Sequence, residues 1–213
     1  MVKIVITLLL LIFPAQLFSE EKKYGSLIYN SDIPNTLFML NDIREGDSFS
    51  LRKALRNHEI TTLVLASPGG SVLEGLNMAG IVFDKGLKVY VPEKARCASA
   101  CSFIFFAGKE RKAQGRLGVH QFHFNNAKAS GNVNQTGEVV QLTVSEIIGF
   151  LNEFDTPRFV LERMFQQQDM YYFDTEEMMQ LMTNEFSVSE SMQTKINTFW
   201  DIARTTLVKK EPK

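Results

Sequence analysis

Almost no net charge separates this chain from neutrality: 23 basic residues face 24 acidic ones, a formal charge of -1 over 213 residues. Without an excess of positive charge there is no electrostatic reason to expect nucleic acid as a partner. Cysteine is scarce as well. The two present, Cys97 and Cys101, lack the nearby partners a zinc site needs, so neither a metal nor another cofactor is expected. Internal repeats and interdomain linkers are also missing. No apolar run reaches the roughly 20 residues of a membrane-spanning helix. The longest, residues 4–13, follows Lys3 and leads through Pro14 to Ser19 into the charged Glu20-Glu-Lys-Lys23. A cationic start, a short apolar stretch and a small boundary residue have the form of a secretory signal peptide over residues 1–19. An uncleaved anchor is the alternative. No cysteine follows the run, which argues against a lipoprotein anchor. A bacterial periplasmic location is expected, with no stable membrane insertion after cleavage.

What is present suits one domain over residues 20–208, with 209–213 as a flexible tail: the length and the 45% hydrophobic content allow a full core. Residues 25–29 and 36–40 look like strands, and 48–57 like a helix with Asp47 or Ser48 as cap. The β-branched, apolar run 61–66 predicts a buried parallel strand. A Ser-Pro-Gly-Gly turn follows (Ser67 to Gly70), then a helix over 72–85 closed by Gly86, and a strand over 87–91. Strand, glycine loop, helix, strand is a βαβ crossover, so the class is α/β with a mainly parallel sheet. Downstream, a helix opens near Ser99 and ends at Gly108, and residues 116–122 read as a strand. A polar insert at 125–136 precedes a helix over 139–154. Thr156-Pro157 predicts a capped helix start, residues 170–173 a short strand, and Asp174-Thr-Glu-Glu177 a capping box.

Three features carry chemistry. Gly69 and Gly70 sit at the carboxyl end of a parallel strand, where open α/β sheets place ligands, and glycine lets backbone N–H groups turn toward a developing oxyanion. Ser99 stands at a helix start, where free N–H groups and the positive dipole end favour negative charge; the Ala100 N–H points to the same oxyanion. The alternative is a plain N-cap serine, and Ser102, one turn on, reads as packing. His120 supplies an imidazole, on the opposite strand face from Val119, Gln121 and His123. His58 ends a surface helix and takes no role. Cys97 and Cys101 flank Ser99, and an oxidising compartment permits a disulfide, provided Cys97 precedes the helix; two buried thiols are the alternative.

Pro-Gly-Gly, then Ala98-Ser99-Ala100 opening an apolar helix that ends Ala107-Gly108, then Val119-His120-Gln121, resembles the Clp peptidase branch of the Clp/crotonase superfamily, closest to its exported bacterial members. The resemblance covers residues 60–125 well and 135–186 more loosely. It implies a repeated ββα spiral, a serine peptidase or hydrolase with Ser99 as nucleophile and His120 as base, an oxyanion hole from Gly69, Gly70 and Ala100, and homo-oligomers such as rings or trimers. It places the acid at Asp169, with Gln166 as alternative; Asp174 is a cap and Asp155 precedes a helix. The cysteine pair, the export signal and the polar insert depart from the cytosolic pattern, and nothing here would dock an ATP-driven unfoldase. A peptide or protein substrate is expected, handled without ATP. Competing readings are a non-catalytic module that binds peptides or an envelope protein, crotonase-type acyl-CoA chemistry, and a serine–lysine dyad using Lys94 or Lys109.

Overall fold

Parallel strand pairing organises the chain, as seen in a computed structural model that describes residues 19–122, 133–166 and 169–208. Residues 1–18, 123–132, 167–168 and 209–213 lie outside the described residues, and with them nearly all of the expected signal peptide (1–19), most of the polar insert at 125–136, His123 and the expected tail at 209–213. The six-stranded main sheet begins with β1 (Glu21–Tyr24), β2 (Leu27–Asn30) and β3 (Thr36–Met39), joined antiparallel. It continues in parallel through β4 (Thr62–Leu65), β5 (Lys88–Val91) and β7 (Glu110–Ala113). A second sheet holds β6 (Arg96–Ala98) parallel to β8 (Arg116–Val119), with β9 (Tyr171–Tyr172) antiparallel on the far side of β8.

Local chemistry explains the helices between them. The stretch 61–66 is buried throughout its strand, with Leu63, Val64 and Leu65 fully enclosed, as both-face coverage requires. It delivers the chain to α2 (Val72–Asp84), whose cap is Ser71, accepting from the Glu74 N–H. Next comes α3 (Ala100–Phe106), every residue of which is buried. Before them, α1 (Asp47–Asn57) departs from expectation: its N-cap is Gly46, without a side-chain bond. Asp47 turns inward instead and accepts from the N–H groups of Ser26 and Arg44 at 2.9 and 2.7 Å, tying the hairpin to the helix.

Other boundaries differ too. The strand read at 116–122 stops at Val119, so His120 lies just past its end. The long helix α4 begins at Val133 and takes in the last part of the polar insert (Val133–Glu153). After it comes α5 (Arg158–Gln166); the Thr156 hydroxyl makes no hydrogen bond and does not cap it. The capping box at α6 (Thr175–Leu181) forms as read, with Asp174 accepting from the Glu177 N–H and Glu177 from the Asp174 N–H. Four elements had no counterpart in the sequence reading: β1, β6, β7 and the last helix, α7 (Glu190–Val208). That helix packs on the main sheet, with Phe199 against Phe38 at 4.5 Å between ring centroids and Asn197 accepting from the Tyr90 hydroxyl. Among the described residues no helix is long and apolar enough to cross a membrane.

Glu177 does more than cap. Its carboxylate also accepts from the Arg163 guanidinium and the Tyr171 hydroxyl, each at 2.7 Å, joining α5, β9 and α6. Burial pushes its pKa up, but the bonds from Tyr171, Arg163 and the Asp174 N–H outweigh that and hold it below the ordinary carboxylate value. A folded-state pKa lowered in this way stabilises the fold above the unfolded value, and the contribution is lost as pH falls through the folded pKa. Glu177→Gln is therefore expected to melt below the wild type at neutral pH, with the gap closing on acidification through the carboxylate range. Thermal melts of both proteins across that range provide the check.

Candidate active site

Three strand ends converge. Ala98 in β6 lies opposite Gly118 in β8, and the pairing runs one step further, with the Ser99 N–H donating to the Gly118 carbonyl at 3.0 Å. On the other side of β6 the Ala98 N–H donates to the Ser67 carbonyl at 3.1 Å. The loop after β4, the turn after β6 and the exit of β8 are thus tied edge to edge.

Ser99 occupies the N-cap position of α3 but does not cap it. Its backbone has φ 55° and ψ -130°, and its side chain makes no cap bond. Positive φ in a residue with a Cβ costs on the order of 1–3 kcal/mol and is held only by surrounding structure. The hydroxyl is spent elsewhere: Ser99 Oγ lies 2.8 Å from His120 Nε2, with both side chains partly open to solvent. This removes the plain N-cap reading. Ser102, fully buried, donates its hydroxyl to the Ser99 carbonyl at 2.7 Å and so holds the turn from within α3.

The glycines meet tight limits. Gly70 (φ 143°) would place a Cβ 2.2 Å from the Ile43 carbonyl oxygen, and Gly69 (φ 106°) would place one 2.7 Å from Ser99 Cβ. Their N–H groups differ in a way the sequence did not reveal. The Gly69 N–H donates to Ser67 Oγ at 3.1 Å and is already used. The N–H groups of Gly70 and Ala100 make no backbone or side-chain bond among the described residues. They are open donors in the loop after Ser67 and at the start of α3. The role of Ser67, a hydroxyl that folds its own loop, was readable from the Ser-Pro-Gly-Gly sequence but was missed.

No hydrogen bond or ion pair joins Asp169 to His120 among the described residues. Asp169 is exposed and forms no hydrogen bond or ion pair among the described residues, and Gln166 is exposed too. The β8–β9 ladder pairs Gly118 with Tyr172 and Val119 with Tyr171 and ends there, short of both His120 and Asp169. The lysines are elsewhere: Lys94 pairs with Asp201 at 3.8 Å, and Lys109 lines a groove at the opposite end of α3. His58 is a structural residue, 2.8 Å from the Tyr24 hydroxyl and stacked on Tyr29 at 3.7 Å. Cys97 and Cys101 form a disulfide, with Cys97 in β6 and Cys101 in α3. A narrow apolar pocket adjoins Ser99 and His120, walled by Val72, Phe103, Val119, Phe122, Ile147 of α4 and Met164 of α5. Among the described residues no three His, Cys, Asp or Glu side chains gather as metal ligands.

The chain matches no family model and no curated protein sequence. Among solved structures it is similar to a point mutant of ClpP1 from Listeria monocytogenes, with a TM-score of 0.57 and 18% identity, covering 76% of this chain and 95% of that one. At that identity the likeness concerns the fold. The protein has a Clp/crotonase-like mixed α/β fold with a mostly parallel sheet.

Close helix packing sets the turn from behind. A Cβ at Gly75 in α2 would lie 2.8 Å from the Ala100 carbonyl oxygen and 3.0 Å from Ala100 Cβ. Helix propensity alone favours Gly75→Ala by about 1 kcal/mol, whereas overpacking a core costs about 1–3 kcal/mol. The contact is with backbone, which cannot rotate away, so the clash wins. Gly75→Ala is expected to lower unfolding free energy by up to about 2 kcal/mol in a denaturant titration.

Proposed function

We propose that this protein is a serine hydrolase of the peptidase kind, acting without ATP on peptide or protein substrates in the periplasm. The single observation behind the proposal is the 2.8 Å contact between Ser99 Oγ and His120 Nε2 at a strained turn flanked by open N–H groups. His120 accepts the Ser99 proton as Oγ attacks a substrate carbonyl carbon. The carbonyl electron pair moves onto oxygen, and the N–H groups of Gly70 and Ala100 bind that charge. His120 then returns the proton to the leaving amine, and water, activated by the same imidazole, releases the acyl group from Ser99. The apolar pocket beside Ser99 suits an apolar substrate group. Export is supported by the cationic, short-apolar start of the sequence and by the disulfide, which persists in oxidising compartments. The ββα spiral and homo-oligomeric assembly belong to the same reading.

A fluorophosphonate probe, which phosphonylates activated serines, tests it. Wild type is expected to be labelled at Ser99, identified by peptide mass. Ser99→Ala should abolish labelling, and His120→Ala should slow it by about 1000-fold or more. Asp169→Asn should stay within about threefold of wild type, because an exposed carboxylate without a bond to the imidazole has little to contribute. A folded wild type that the probe leaves untouched overturns the enzyme reading, and a large Asp169→Asn effect overturns the account of the imidazole's surroundings.

A further inference from the structure

We propose that the Cys97–Cys101 disulfide is a positioning element that holds Ser99 at positive φ, so that the reactivity of the Ser99–His120 pair depends on it; this rests on the hydrolase reading above. Cys97 lies in the strand that enters the turn and Cys101 in the first turn of the helix that leaves it, with Cα atoms 5.2 Å apart and Ser99 midway between them. Both cysteines are fully buried.

The other restraints grip the peptide groups on either side of Ser99. Gly118 holds its N–H, and Ser102 and the start of α3 hold its carbonyl. Between those grips lie the two torsions that direct Cβ. Relaxation of φ to the negative values that residues with a Cβ prefer would swing the Cα–Cβ bond and carry Oγ away from the imidazole. Fixing the strand end to the helix start closes that route. So short a loop constrains the unfolded chain only weakly, so the bridge acts mainly on the native turn. A hydroxyl must meet its base within a few tenths of an ångström, and small misplacements of reacting groups cost orders of magnitude in rate.

The test uses the full chain with its disulfide formed, the same chain reduced under native conditions by a phosphine, and the Cys97→Ala/Cys101→Ala double variant. Reduction turns the disulfide into two thiols as the phosphine takes up oxygen from water, and mass confirms the two added hydrogens. The rate of fluorophosphonate labelling at Ser99 is followed across pH, beside thermal melts. Reduced wild type and double variant are expected to label about ten- to a hundredfold more slowly at every pH, with an unmoved pH midpoint and a retained cooperative melt. Reoxidation should restore the wild type alone. Labelling of the reduced wild type at the oxidised rate overturns the proposal, and so does a loss that reoxidation fails to restore. If the double variant does not fold, the reduced and reoxidised wild type decide. An oxidised wild type that is never labelled removes the hydrolase reading and the positioning role with it.

Discussion

The parallel pairing of β6 with β8 is the constraint on which the site depends. Two parallel strands end on the same side of their sheet, so the residues that follow them emerge together. Ala98 opposite Gly118 puts Ser99 and His120 just beyond that shared end, and the Ser99 N–H bond to Gly118 extends the ladder into the turn itself. A slip of one residue would move His120 to the other face. Gly118 serves both sides of the pairing. Its carbonyl receives Ser99, and its missing side chain admits Tyr172 of β9, whose ring would lie 2.8 Å from a Cβ there. The Arg116 guanidinium stacks 3.6 Å from the centroid of that ring and closes the second sheet.

Against this frame, α3 begins in a way its local sequence does not favour. A serine at an N-cap normally bonds the first turn, worth about 1 kcal/mol, and it normally sits at negative φ. Ser99 does neither. A helix of seven residues has little stability of its own, so tertiary burial must hold it. It has that burial: Ile104 and Phe105 are fully enclosed, and Gly75 lets the backbones of α2 and α3 approach closely. The Ala100 N–H stays open at the start of α3 because the core, rather than a side-chain cap, fixes the helix.

Much of this was legible from residue order, and the losses share a cause. The run from β4 through the glycine loop, α2 and β5 could be read because its signals are local: a β-branched apolar stretch, paired glycines, helical spacing. The box at Asp174 and Glu177 was local as well. The missed strands were not. Residues 21–24 and 110–113 are rich in charge, and they become strands through pairing with β2 and β5 rather than through any preference of their own. Asp47 looked like a cap because aspartate before a helix usually is one; long-range bonds to Ser26 and Arg44 recruited it instead. The helix α7 had its signal in plain view, with Ile196 and Trp200 one turn apart and both buried.

The assignment of Asp169 shows where counting along a chain stops being informative. Separation from the histidine survives the folding of α4 and α5 as a number, but the reach of a side chain is decided by the last few residues before β9. Residues 169 and 170 precede the strand, so neither helical spacing nor strand alternation fixes where their side chains point. Tyr171 pairs with Val119, and Asp169, two residues before β9 begins, is exposed. Ser99 and His120 escaped the ambiguity because each leaves a strand of the same parallel pair, so one register fixes both. A residue delivered by a different, antiparallel partner inherits a second register, which nothing in the spacing determines.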